Sequence, residues 1–354
     1  MGWIILVYKL YIQKTFLCTA IVLSIFAAVN YYFDIYGIFR RDFSFESIEP
    51  NQHIVKMQYL LEEKNKTKYN AFMFGQSRIG NIDLTKIDNG YQYYNMTYSA
   101  GLPLEWLNDI KILLNNGIKI KQIVLGIDDM SFTISPEEHL NDLLRMPYSS
   151  SRLYYCKYLF RIPDKGMIKA YYAAKDGRDP HSSLYDIYGS GRPLHEKADN
   201  LIESNIEEHI NNIKFQKYDV PKASRVEKTL DEISEIKKIC YEHDIELIVF
   251  INPLHKTAYM SNNLKEFDRL KKGLSNIVDY YDFSGLNSIT MNNYNYYETA
   301  HYRPLVGALI IKRLFNKDIN DIPEDFGILV NKNNVDEHLK QLHEKESQYG
   351  ITNN

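Results

Sequence analysis

The sequence predicts an α/β protein: a three-layer, doubly wound α/β/α domain on a mainly five-stranded parallel sheet, with a helical or irregular insertion and an N-terminal transmembrane helix. Three observations carry this. Five apolar runs, each ending in turn or polar residues, alternate with stretches of helical period, the order of a βαβ-type sheet with right-handed crossovers. The run Gln122 to Ile127 is continuously apolar, as in a parallel strand covered on both faces. Thr15 to Phe33 carries no charged residue and approaches the ~20 residues that cross a bilayer as a helix.

Taken in order, residues 1–14 form a short N-terminal segment and 15–33 a membrane anchor whose Tyr31, Tyr32 and Phe33 suit an interfacial belt. No small-x-small site precedes the Tyr pair, so an uncleaved anchor is expected over a cleaved signal peptide. Lys9 and Lys14 before the span balance Arg40 and Arg41 after it, which leaves the orientation open on charge alone. The α/β domain then occupies 34–317. Gln52 to Lys64 places Ile54, Met57, Leu60 and Leu61 at helical spacing and leads into the first strand, which ends at Phe74-Gly75-Gln76-Ser77. Tyr91 to Met96 is a second strand, Pro103 starts a helix through Trp106 and Leu113 closed by Asn116-Gly117, and Gln122 to Ile127 is a third strand ending in Asp128-Asp129. From about 130 to 221 the pattern loosens into an insertion over one end of the sheet, rich in tyrosine and interrupted by Gly177, Pro180, Gly189, Gly191 and Pro193. A long helix from about Ser224 to His243, a strand at Ile245 to Ile251, a helix at Asn263 to Leu274, a fifth strand at Ile277 to Phe283 and a helix at Pro304 to Phe315 complete the domain. Residues 318–354 read as a charged tail with one short helix near Val335 to Glu346.

The chain has 354 residues, 45% hydrophobic and 25% charged, enough for one large domain or two modest ones. A net charge of −3 lacks the footprint of a nucleic-acid binder. Cys18, Cys156 and Cys240 form no paired spacing, and no histidine set has ligand spacing, so neither a disulfide framework nor a metal or other cofactor is indicated.

Chemistry concentrates at two strand ends. After the first strand, Ser77 sits where backbone N–H groups point at whatever binds the carboxyl edge of the sheet, making it the candidate nucleophile. A serine needs a base oriented by a third group. Beyond the fifth strand, Glu298 lies three residues before His301, close enough to reach one imidazole nitrogen and leave the other for Ser77.

Gly75-Gln76-Ser77-Arg78, Asn95 to Gly101, Val124 to Asp129 and Glu298-x-x-His301 resemble, in order and position, the blocks of the SGNH/GDSL hydrolase superfamily. The anchor followed by Phe33-Asp34-Ile35-Tyr36-Gly37 and the ending His301-Tyr302-Arg303-Pro304 look like its membrane-anchored bacterial branch, which serves cell-envelope polysaccharide O-acylation and teichoic-acid D-alanylation. The resemblance implies Ser77 as nucleophile, His301 as base and Gly101 as an oxyanion-hole residue beside the Ser77 N–H. It further implies a catalytic domain outside the cytoplasmic membrane with residues 1–14 as a cytoplasmic N-terminus, a polysaccharide or acyl-donor substrate, and a multispanning membrane-bound O-acyltransferase as partner. Two departures stand out. Glu298 replaces the usual Asp, and the third block ends in Gly126-Ile127-Asp128-Asp129 without the usual Asn, because an ionised Asp cannot donate to an oxyanion. Asn95 is the expected substitute donor. The enzymatic expectation is a serine esterase or O-acyltransferase, acetylation being the expected chemistry; the alternative is a non-catalytic, membrane-tethered glycan-binding or scaffolding protein on the same fold.

Arg78 and Arg303 flank the proposed nucleophile and base, and either could hold an anionic substrate group or a salt bridge that positions loops. Asp128 is a further candidate at the site, or a structural partner of Arg78. Tyr148, Tyr154, Tyr155, Tyr158, Tyr171 and Tyr172 could stack on sugars or pack a core.

Overall fold

The computed structural model describes residues 2–39, 50–162, 168, 172, 184–219, 223–315 and 319–349. Arg40, Arg41, Tyr171, Gly177 and Pro180 lie outside them. The N-terminal apolar segment is one helix, α1 (Gly2–Phe33), longer than the expected span. Between Trp3 and Phe33 an 18-residue stretch reaches a mean hydropathy of 1.9 and is almost entirely exposed. At ~1.5 Å per residue it exceeds the ~30 Å of a bilayer core, so its length and composition suffice to cross one. Its last turn docks on the domain: Asn30 Nδ2 donates to the Leu159 and Arg161 carbonyls at 2.8 and 2.9 Å. Asp34, at φ 38°, then accepts the N–H groups of Ile38 and Phe39, both at 2.9 Å, and turns the chain.

Beyond it, α2 (Gln52–Leu60) is capped by Asn51 and is buried on nearly all sides. The strands are β1 (Ala71–Phe74), β2 (Tyr93–Asn95), β3 (Gln122–Ile127), the small hairpin β4 (Leu184–Tyr185) and β5 (Pro193–Leu194), then β6 (Glu246–Ile251), β7 (Tyr280–Asp282) and β8 (Ile328–Val330). The main sheet has the order β2-β1-β3-β6-β7-β8. All neighbours are parallel except β7 and β8, where Tyr280 faces Val330. The sheet is thus six-stranded and mixed rather than five-stranded. The extra edge comes from the segment read as a charged tail, in which a three-residue apolar run is too short to give a strand period.

Alternation along the central strands divides the core. Phe72, Phe74, Ile123, Leu125, Val249 and Ile251 face one layer, built from α2, α3 (Pro103–Asn115), α6 (Val226–Glu242), α7 (Leu264–Ile277) and α9 (Val335–Gln348). Met73, Val124 and Phe250 face the other, covered by α8 (Pro304–Leu314) and the 3₁₀ segments after β1. Burial of both faces explains why β1 and β3 read as unbroken apolar runs. The insertion adds α4 (Glu196–Ser204) and α5 (Ile206–Ile210), which with the β4–β5 hairpin rise over the carboxyl edge of the sheet. The strand order reverses between β1 and β3, and in open α/β sheets ligands bind outside the strands' carboxyl ends at such a point. Ser77 stands there.

Candidate active site

The chain leaves β1 through Gly75-Gln76 and enters a 3₁₀ turn, Ser77–Asn81. The turn folds back tightly: a Cβ on Gly75 would meet Ile79 Cδ1 at 2.4 Å, and one on Gly126 would meet the same atom at 2.2 Å. Two glycines at adjacent strand ends therefore clear space for Ile79, which pins the turn and leaves Ser77 half-exposed at its head. There its N–H precedes the bonds within the turn.

Ser77 Oγ lies 2.9 Å from His301 Nε2, and His301 Nδ1 lies 2.5 Å from Glu298 Oε1. The three residues that the sequence brought into consideration thus form a continuous hydrogen-bonded chain, although Ser77 and His301 are 224 positions apart. The longer Glu298 fits because its carboxylate is wrapped by its own loop. Oε2 accepts the Ala300 N–H at 2.5 Å and Oε1 the His301 N–H at 3.0 Å. Burial pushes Glu298 up, but the hydrogen bond and charge of His301, with the Ala300 N–H and Arg78, outweigh it and hold the carboxyl below its ordinary range. The loop is fixed to the serine turn by Asn81, whose Nδ2 donates to the Tyr302 carbonyl at 2.7 Å.

The other site residues take different roles. Arg78 does not face substrate. It is 1% exposed, its Nη1 donates to Asp129 Oδ1 at 2.5 Å and lies 3.4 Å from Asp128 Oδ2, and its Nη2 donates to the Tyr218 hydroxyl. Asp128 is wholly buried and caps the next turn through the Met130 N–H at 3.1 Å, which removes it from the substrate set as well. Burial raises its carboxyl to about 7, against the pull of Arg78 and with a push from Asp129. Arg303 is also buried, its Nε on Asp199 at 2.7 Å and its Nη2 on Glu203 at 2.6 Å, fastening α4 to the His301 loop. Both arginines are committed to loop-positioning ion pairs.

The expected oxyanion donors are likewise engaged. The Gly101 N–H closes a turn on the Tyr98 carbonyl at 3.2 Å, with Ala100 at φ 52°. The glycine is needed for close approach, since a Cβ there would lie 2.7 Å from the Gly75 carbonyl. Asn95 is buried, accepts from Thr97 N and Oγ1 at 2.9 and 2.5 Å, and aims its amide at the Gly80 carbonyl. Of that loop, Thr97 and Ser99 are the residues that reach the cavity with Ser77. Beneath it, Tyr98 stacks on His53 with ring centroids 4.1 Å apart, His53 Nε2 bonds Asp109 at 2.8 Å, and Lys56 Nζ donates to the Thr97 carbonyl at 2.5 Å.

The cavity above Ser77 and His301 measures about 890 Å³. Its far wall comes from the insertion, with Tyr185, His195, Ile202, His209 and Lys214. Sequence reasoning missed Lys56 and Asn81, whose partners Thr97 and Tyr302 are distant in the chain, and Lys214, whose partner His209 is near but whose place on the cavity is set by the fold of the insertion. Tyr148, Tyr154, Tyr155 and Tyr158 stay outside this cavity's lining, and Tyr158 is buried in a separate small core with Ile38 and Met146. Among the described residues, no group of histidine, cysteine or acidic side chains could hold a metal ion.

Fold and site together define an α/β protein that holds a Ser–His–Glu relay at the switch point of its sheet, behind an apolar N-terminal helix. No protein-family model matches the chain, and no curated protein matches it.

Proposed function

We propose that the protein is a membrane-anchored serine acyl-ester hydrolase or acyltransferase of SGNH type, acting outside the cytoplasmic membrane in O-acylation, as acetylation, of a cell-envelope polysaccharide. The observation that carries the reading is the relay Ser77 Oγ–His301–Glu298 opening into a cavity large enough for a sugar residue. In this reading Ser77 Oγ attacks the ester carbonyl while His301 Nε2 takes its proton. The tetrahedral intermediate collapses, the C–O bond to the leaving alcohol breaks, and that alcohol receives the proton from His301. A glycan hydroxyl, or water, then gives its proton to His301 and attacks the acyl-serine, releasing Ser77. Glu298 holds the imidazole in the tautomer that presents Nε2 as base. A multispanning O-acyltransferase would supply the acyl donor.

The second reading, a tethered glycan-binding or scaffolding protein, is favoured by one observation: the Gly101 N–H, the Asn95 amide, both Thr97 donors and the Tyr98 N–H are already engaged, so the oxyanion would rely on the Ser77 N–H and on Ser99. Serine acylation separates the two. Under the enzymatic reading, full-length protein is labelled by a fluorophosphonate and releases p-nitrophenol from its acetate, and Ser77→Ala lowers turnover on the order of a million-fold. Absence of labelling, together with intact polymer acylation in Ser77→Ala cells, would refute it.

A further inference from the structure

With Arg78 and Arg303 committed to buried ion pairs, the cation left facing the cavity is Lys214, on the 3₁₀ segment Ile213–Phe215 that follows α5. Among the described residues, no other lysine and no arginine lines the cavity. Among them, too, no carboxylate lies within 4 Å of its ammonium, which sets it apart from Lys217, paired with Asp219 at 3.1 Å. The acidic residues of the wall are Glu298, held by its own loop and His301, and Glu208, which accepts from the Asn205 amide at 2.5 Å.

The ammonium is also oriented. His209 Nε2 lies 2.8 Å from the Tyr296 carbonyl, which only accepts, so Nε2 carries the proton and Nδ1 is left as an acceptor. Lys214 Nζ donates to that nitrogen at 3.3 Å, and its remaining two N–H bonds are available to the cavity. His209 itself is buried and fixed by the loop that carries His301, so the cation and the relay are set in register through Tyr296.

We propose that Lys214 is the subsite for an oxyanion, carboxylate or phosphate, carried on the sugar that occupies this cavity. A preset ammonium with no carboxylate within 4 Å favours a charged ligand group over a hydroxyl, because hydrogen bonds to charged partners are the stronger ones. The inference rests on the cavity being the substrate site, and it specifies that the substrate is anionic.

The test uses full-length Ser77→Ala protein in detergent micelles, so that binding is read without turnover. Calorimetric titration with maltotriose, trigalacturonate and glucose 6-phosphate compares a neutral sugar, a carboxylate and a phosphate. At least one anionic sugar is expected to bind about tenfold or more tighter than maltotriose. That preference weakens with salt, disappears in Lys214→Met and is largely kept in Lys214→Arg; whichever anion shows it names the source. Equal binding of all three sugars, binding of none, or a preference that survives Lys214→Met in protein with parental thermal unfolding would overturn it. Absence of fluorophosphonate labelling together with intact polymer acylation in Ser77→Ala cells refutes only the enzymatic reading and leaves this result standing.

Discussion

Replacing Lys56 by methionine should alter the pH dependence of stability in a way that the structure dictates. Lys56 is completely buried on α2; among the described residues its hydrogen-bond partner is the Thr97 carbonyl, and no carboxylate lies within 4 Å. Burial pushes its pKa down from 10.5 to about 7. Between those two values the unfolded chain holds a proton that the folded chain lacks, so stability climbs as pH rises through the window and is flat below it. At ~1.4 kcal/mol per pH unit the climb is capped at about 5 kcal/mol. Lys56→Met keeps the apolar stem and removes the titration, while leaving a buried carbonyl without its donor, which costs ~1–3 kcal/mol. The two stability curves should therefore cross: the Lys56→Met variant is more stable than the parent by about 2–4 kcal/mol at pH 6–7, and less stable by ~1–3 kcal/mol near pH 10.5. Equilibrium denaturation of full-length protein in micelles from pH 6 to 10.5 reads this directly. Parallel curves would show that Lys56 is not desolvated in solution, and the packing under the Thr97 loop would have to be redrawn.

Three further outcomes follow from the same arrangement. Glu298→Gln should lower kcat toward p-nitrophenyl acetate by about 10²–10⁴, since the amide has one accepting oxygen where the carboxylate has two, so the imidazole loses its charged partner and one of the two loop N–H groups loses its acceptor; parental turnover would assign the role to another group. Arg78→Gln should cost ~3–5 kcal/mol by leaving Asp128 and Asp129 buried without their cation, as read by denaturant midpoint, with ligand affinity of the folded protein unchanged; normal stability with weakened affinity would return Arg78 to substrate binding. Asp282 is buried between Lys271 at 3.1 Å, His338 at 2.8 Å and Ser284, joining α7 and α9 to the sheet edge. Burial raises its carboxyl, but Lys271 and His338 outweigh that and hold it well below 3.8, so its contribution is complete above that value and is lost as pH falls below it. Asp282→Asn should therefore destabilise by ~3–5 kcal/mol at pH 7 and flatten the acid limb of the stability profile; an unchanged acid midpoint would contradict the assignment.

What was legible in the sequence is what local chemistry decides. A strand buried on both faces reads as an apolar run, so β1, β3 and the buried end of β6 announce themselves, whereas β8 has three residues and takes its identity from pairing with β7. Glu298 and His301 are three positions apart, and their bond forms within one turn, so spacing alone foretold it. Arg78 shows the opposite case. Next to Ser77 it reads equally as a substrate ligand or as a loop-positioning ion pair, because its partners Asp129 and Tyr218 lie 51 and 140 positions away and nothing local decides between the two.

Gly101 combines both kinds of information. The sequence shows a glycine where an oxyanion donor is wanted, and the fold does require a glycine there, for its approach to the Gly75 carbonyl. Its N–H, however, is engaged by Tyr98. A residue type can thus be forced by packing while the role inferred from it passes to neighbours. On the proposed enzymatic reading the neighbour is Ser99, since both Thr97 donors go to Asn95, and the buried Lys56 holds the carbonyl of Thr97 in the same loop. Lys56 and Ser99 thus act on one loop, so on the proposed enzymatic reading Lys56→Met should change the acylation rate of Ser77 as well as the pH profile.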